Sequence, residues 1–154
     1  MASWRDVRAA APELADSVQR CFDAHIHKTT ATLRKDGSPR ISGNDTNFTA
    51  DEVWLGMMPG SLRARDLERD PRVAIHSATA DPEMAGGDAK LAGRAVAVTD
   101  PAEFSRLAGE EGEPGSFHLF KIDVTEMVRT TVEGDRLVVE SWHEGGGVNR
   151  VERA

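Results

Sequence analysis

The run Thr29-Thr30-Ala31-Thr32-Leu33-Arg34-Lys35-Asp36-Gly37-Ser38-Pro39-Arg40-Ile41-Ser42 decides the fold class. Thr29 to Leu33 is short and rich in β-branched residues, which suit a pleated strand. Lys35-Asp36-Gly37-Ser38-Pro39 is a turn, because glycine supplies a positive φ and proline cannot donate to a central ladder. A second strand from Arg40 to Phe48 completes an antiparallel hairpin. A turn at Thr49-Ala50-Asp51 then leads into Glu52-Val53-Trp54-Leu55-Gly56-Met57-Met58. Here Val53, Leu55 and Met57 point one way and Trp54 and Met58 the other. A strand with two apolar faces is buried on both sides or lies at a subunit contact.

The rest of the chain extends this pattern. Upstream, Ser3 can cap a helix whose apolar positions (Val7, Ala10, Ala11, Leu14, Ala15, Val18, Cys21, Phe22) recur every three or four residues. Pro12 interrupts it, so one helix and two shorter ones both fit. Downstream, Met58-Pro59-Gly60-Ser61 breaks the third strand, and Ser61 caps a short helix that runs through Asp70 and is ended by Pro71. Val73 to His76 reads as a fourth strand, Thr79 to Asp88 as a polar loop, and Ala89 to Val98 as a fifth strand. Asp100-Pro101-Ala102-Glu103 is a capping box with proline at the first helical position, and Phe104, Leu107 and Ala108 form that helix's buried stripe. The acidic loop Gly109 to Gly115 is expected to be mobile. Phe117 to Val132 forms a long strand, Glu133-Gly134-Asp135 turns it, and Leu137 to Trp142 closes the set. Residues 1–24 thus form a helical segment and 143–154 a flexible tail of one domain spanning 1–154. The prediction is a mainly β (α+β) fold: a six- to seven-stranded antiparallel barrel with two to three peripheral helices.

Composition narrows the function. The 154 residues are 39% hydrophobic and carry a net charge of -7. That acidity argues against general nucleic-acid binding, which relies on excess Lys and Arg. No apolar run approaches the ~18 residues that span a bilayer. The start, MASWRDVRAAAPELADSV, lacks the basic-then-apolar order of a signal peptide, so a cytoplasmic location is expected. The single cysteine, Cys21, excludes an internal disulfide and a Cys-rich zinc site, and on an apolar helix face it reads as a small hydrophobe.

The residues with chemical potential cluster at Pro59-Gly60-Ser61-Leu62-Arg63-Ala64-Arg65. A helix start offers unbonded N–H groups and roughly half a positive charge. Ser61 adds a hydroxyl, Gly60 lets a ligand approach the backbone, and Arg63 sits in the first turn, where a cation is unfavourable without a nearby anion. With Arg65 beside it, the segment suits a phosphate. The same residues also fit a surface helix stabilised by Arg63–Asp66 and Arg65–Glu68 pairs. His25 and His27 would share a side on a strand and could hold a metal, though no third ligand is evident. His76, His118 and His143 read as structural histidines, or as proton donors if they reach a ligand. There is no G-x-S-x-G elbow, no H-E-x-x-H, no phosphate-binding G-x-x-x-x-G-K-[ST], and no tyrosine.

The order of these pieces carries a resemblance. The hairpin pattern ATL-x-x-DG-x-P at 31–39, the two-faced strand, RARDLERDPRVAI at 63–75, Lys90-Leu91-Ala92-Gly93-Arg94-Ala95, and the tail from Glu140 to Arg153 together resemble the pyridoxamine 5'-phosphate oxidase-like split β-barrel superfamily. That superfamily includes the deazaflavin (F420)-dependent reductases. The resemblance spans roughly residues 25–153 and implies a split barrel that binds its cofactor, FMN or F420, at a homodimer interface. Arg63 matches the family's principal phosphate-binding Lys/Arg and Ser61 a commonly present Ser. Arg40, Ile41 and Ser42 match the strand along the flavin ring, and Met57 and Met58 the strand flanking it. Trp142 and Arg153 match second-subunit contacts, with Arg150 a nearby alternative. Leu62 stands where the oxidases proper have a second Arg, and Asp88 near where they have a Gln, so true pyridoxamine phosphate oxidase activity is disfavoured. The implied activity is a flavin- or deazaflavin-dependent oxidoreductase acting on a small organic molecule. The alternative is a non-catalytic carrier or sensor for flavin, haem or a phosphorylated ligand. The two apolar faces of the third strand motivate the homodimer.

Overall fold

A computed structural model describes residues 2–79, 81–109 and 112–154. Eight strands form one antiparallel sheet: β1 (His27–Leu33), β2 (Pro39–Phe48), β3 (Val53–Met57), β4 (Arg72–His76), β5 (Asp88–Ala97), β6 (His118–Glu133), β7 (Arg136–His143) and β8 (Gly147–Arg153). Their order is β3-β2-β1-β4-β5-β6-β7-β8, and a further β3–β6 pairing closes the first six into a barrel. The hairpin that decided the class forms as expected, with Leu33 opposite Pro39 and Ala31 opposite Ile41. Gly37 sits at φ +86°, the conformation its turn demands. Of the loop expected to be mobile, residues 110 and 111 lie outside the described residues.

Among the described residues there are four helices rather than two or three: α1 (Trp4–Ala10), α2 (Pro12–Asp23), α3 (Leu62–Arg69) and α4 (Pro101–Ala108). Pro12 accounts for the extra one. It starts α2 at its first position, where its missing N–H costs nothing. Trp4, Val7, Leu14, Ala15, Val18 and Phe22 from these two helices are buried in the barrel core with Leu55, Met57, Ile75, Leu91 and Ile122. Trp4 and Phe22 both pack on Phe48, with ring centroids 5.1 and 5.6 Å apart. Burying such side chains is the main source of stability, at about 1.5–3 kcal/mol each.

Of the two alternatives for the third strand the structure shows burial on both sides, and it corrects the expectation for the tail. The two-faced strand β3 is buried within its own chain: Val53, Leu55 and Met57 face the barrel core, while Trp54 packs with Val98, Phe104, Leu107, Ala108 and Leu119 beneath α4. Its apolar faces therefore require no partner subunit. The segment 143–154, expected to be a flexible tail, turns back as β8 and pairs with β7 from His143↔Gly147 to Leu137↔Arg153. Gly145 (φ +78°) and Gly147 (φ +70°) make the turn, so the glycine run serves a hairpin. Gly93 has another structural role. It marks the register shift between β5 and β6, where an added Cβ would stand 2.1 Å from the Asp123 carbonyl oxygen.

Candidate functional site

The start of α3, the middle of β2 and the end of β3 meet around a groove of about 380 Å³. Local sequence builds it from below. Met58-Pro59-Gly60-Ser61 forms a turn in which the Ser61 N–H donates to the Met58 carbonyl at 3.1 Å, with Gly60 at φ +77°. A Cβ on Gly60 would meet nothing within 4 Å, so its role is the turn's positive φ and the space above it is open. Ser61 accepts from the Ala64 N–H at 3.3 Å, and its carbonyl takes the first intrahelical bond from Arg65 at 3.2 Å. The N–H groups of Leu62 and Arg63 precede that bond and have no partner within the helix.

Arg63 reaches from this helix start to β2, where its Nη1 donates to the Gly43 carbonyl. That contact sets a guanidinium in the groove beside Met58, which is 76% exposed. On the same open face of β2, Asp45 faces His27 across the strand pair, with His27 Nδ1 3.3 Å from its carboxylate. Trp54, Asn47 and Phe117 complete the walls. One end of the groove thus carries a cation and a helix start, and the other an Asp–His pair. The first end suits a phosphate. Neither of the surface-helix pairs is present among the described residues: Asp66 binds Arg40 and Arg69, and Glu68 faces His118 at 3.7 Å.

The candidate residues separate into two groups. Met58 and Arg63 line the groove, Gly60 and Ser61 stand in the turn between them, and Arg65 is exposed two residues further along α3. Ile41 is 74% exposed on β2, but Arg40 and Ser42 alternate to the opposite face, and Arg40 donates to the buried Asp66 carboxylate at 2.7 Å. Met57 is a core side chain (2% exposed), so of the two methionines only Met58 can flank a ligand. Trp142 is also core, opposite Met127 and 5% exposed, and cannot cover a ring without leaving its place. Arg153 is exposed on β8 opposite Leu137, five residues from Trp142's position along β7, about 17 Å. Arg150 is engaged by Glu133, Glu152 and Glu140, which raise its pKa above its ordinary value. One chain therefore does not bring Trp142 and Arg153 together.

Sequence reasoning missed Gly43, Asp45, Asn47, Trp54 and Phe117 as groove residues. The period of two on β2 carried the signal for the first two, since Ile41, Gly43 and Asp45 share the outward face. His27 belongs to the groove through Asp45, and no cluster of three or more His, Cys, Asp or Glu that could hold a metal ion occurs among the described residues. His76 lies 2.6 Å from the Ser77 carbonyl and His143 2.9 Å from Glu126, each away from the groove. No helix among the described residues is long and apolar enough to cross a membrane.

Comparisons with known proteins agree with this architecture. A family model described as pyridoxamine 5'-phosphate oxidase matches residues 14–130. No curated protein matches the chain. Among solved structures, PhzG from Burkholderia lata 383, in complex with tetrahydrophenazine-1-carboxylic acid, aligns with a TM-score of 0.67 at 12% identity, covering 96% of this chain and 91% of that one. A pyridoxamine 5'-phosphate oxidase-related, FMN-binding protein from Nostoc punctiforme PCC 73102 aligns with a TM-score of 0.61 at 12% identity, covering 96% of both. A heme binding protein from Mycobacterium smegmatis aligns with a TM-score of 0.62 at 18% identity, covering 86% of this chain and 58% of that one. At these identities the structural likenesses speak for the fold.

Proposed function

The chain belongs to the pyridoxamine 5'-phosphate oxidase family, and from that premise we propose that it binds FMN in the groove at the start of α3 and acts as an oxidoreductase on a small organic molecule. The observation that carries this reading is the Arg63 guanidinium, held against the Gly43 carbonyl at a capped helix start whose first N–H groups have no partner within the helix. Arg63, Ser61 and those N–H groups hold the phosphate, while Met58 and Ile41 offer the ring a soft apolar surface. When bound, FMN supplies the hydride chemistry, and the chain supplies anchoring, orientation and exclusion of water. The carrier reading shares the same groove and is supported by a haem-binding neighbour of the same fold. Turnover with a reductant separates the two, because a carrier binds stoichiometrically and does not cycle. F420 would use the same phosphate anchor.

Arg63→Ala is expected to weaken FMN binding by about 10- to 150-fold, the ~1.5–3 kcal/mol of a charge-assisted phosphate contact. Folding stability should change by less than ~0.5 kcal/mol, as for other surface substitutions. Titration of the apoprotein with FMN and with F420 reads the first, and thermal unfolding the second. Unchanged affinity for both cofactors returns Arg63 to a surface role.

The homodimer now rests on different residues from those that first suggested it. Ile41, Met58, Leu62, Val148 and Val151 are large apolar side chains exposed on this chain, and an obligate dimer would cover them with more than ~2,000 Å² of interface in total. Arg153, on the exposed β7–β8 hairpin, is the residue best placed to reach a partner's groove. Sedimentation at micromolar concentration should give twice the 16.7 kDa chain mass, and a monomer would refute the dimer.

A further inference from the structure

A second cavity, of about 410 Å³, opens between the C-terminal half of α2 and the loop joining β4 to β5, and shares no residue with the groove. Its size falls in the range of small-molecule sites. Arg129 projects into it from β6. Its Nε is buried without a hydrogen-bond partner, its Nη2 lies 3.5 Å from the Gly86 carbonyl, and the guanidinium also bonds the Cys21 thiol. No carboxylate pairs with Arg129 among the described residues, although two stand on the cavity wall. Both are engaged elsewhere: Asp81 accepts from the Glu83 and Ala85 N–H groups, and Asp88 lies 3.8 Å from His76 Nε2. Arg20 adds a second guanidinium, bonded to Ser17 Oγ at 3.1 Å and to no carboxylate. A half-buried guanidinium with an unused donor is costly unless something accepts from it.

The wall opposite is fixed. Gly87 (φ +72°) presses so close to β6 that a Cβ there would stand 2.4 Å from the Thr130 carbonyl oxygen, and Met84 is held at φ +51°. Gly87 therefore lies directly against β6. Around the cationic floor, Ala24, Ala78, Met84 and the Cys21 side chain supply apolar walls. We propose that this cavity binds a small organic anion, a carboxylate on an apolar body, held by the guanidinium of Arg129. The guanidinium fork matches a carboxylate in shape and charge, and the walls exclude water from the body. This site is independent of the flavin reading.

Cys21, the chain's one cysteine, lines the cavity and reports its occupancy. Burial pushes its thiol above the ordinary value, so alkylation by iodoacetamide is compared at one fixed pH. With the full chain and benzoate as the probe, alkylation should slow saturably, by about tenfold or more, which corresponds to ~1.4 kcal/mol of occupancy. Arg129→Met should abolish the protection and Arg20→Gln should weaken it. Arg129→Lys, which keeps the charge and loses the fork, should raise the benzoate concentration needed. Each variant is compared with and without benzoate, so a change in basal thiol reactivity cancels. Circular dichroism identifies a variant that has not folded, and Arg129→Lys then decides. No protection of the wild type, or protection that survives Arg129→Lys undiminished, overturns the site. Protection by inorganic phosphate but not by benzoate overturns the class of ligand.

Discussion

Trp142→Ala is expected to destabilise the fold by about 3–5 kcal/mol, the range for removing a buried indole. For a chain of this size that is a fall in melting temperature of roughly 6–20 °C. Trp142 lies on β7 opposite Met127, which is fully buried, and belongs to the cluster that fills the barrel with Leu55, Ile75 and Val124. Its removal leaves a cavity that the surrounding strands can close only in part. The alternative role, covering a ligand ring, predicts the reverse: little change in melting and a loss of cofactor affinity. The two are measured on one sample, by thermal unfolding of the apoprotein and by FMN titration well below the transition. A small thermal shift together with a large affinity loss would place Trp142 in the site after all.

The contrast between Trp142 and Met58 shows what the sequence made legible. Turn and cap chemistry is local, so Asp36-Gly37, Ser61 and Asp100-Pro101 marked element ends that the structure keeps. The long alternation after Phe117 likewise marked β6. Which face of an element meets which neighbour is not local. Met57 and Met58 differ by one position, and the period of two sends one to the core and the other to the groove. The two apolar faces of β3 left burial on both sides and a subunit contact both open, because nothing in the strand itself shows that α4, some fifty residues later, covers Trp54. The tail misled for a similar reason. Three glycines and a polar composition match a frayed end, whereas β8 is held by main-chain pairing to β7, which leaves no hydrophobic signature. The reading of Arg63 also rests on local chemistry, since a cation in a first helical turn is unfavourable without a nearby anion wherever the helix is placed.

Asp66→Asn is expected to cost about 3 kcal/mol at neutral pH, at the low end for breaking a buried ion pair. The Asp66 side chain is 3% exposed and accepts from Arg40 Nε at 2.7 Å, Thr32 Oγ1 at 2.8 Å and Arg69 Nη2 at 3.0 Å. One carboxylate thereby ties α3 to β1 and β2. An amide keeps the shape but loses the charge, and turns an N–H₂ toward donors. The effect should depend on pH in a defined direction. Burial alone would raise the Asp66 pKa, but the bonds from Arg40, Thr32 and Arg69 outweigh it and hold the carboxyl below its ordinary 3.8. A carboxyl whose folded pKa is lowered contributes stability above its unfolded value and loses it as the pH falls through the folded one. The gap between wild type and variant should therefore be constant from pH 7 to 5 and shrink below about pH 4. Asp6, Asp36 and Asp70 are also lowered, the last to about 2, but they are common to both proteins and cancel in the difference. Chemical denaturation at pH 7, 5 and 3 measures the gap, and a gap unchanged at pH 3 would remove Asp66 from this role. The same carboxylate sits one turn from Arg63, so loosening it shifts the helix that carries the proposed phosphate anchor without deleting the anchor. FMN affinity should then fall in Asp66→Asn, but by less than in Arg63→Ala, which separates a residue that holds the helix from one that meets the ligand.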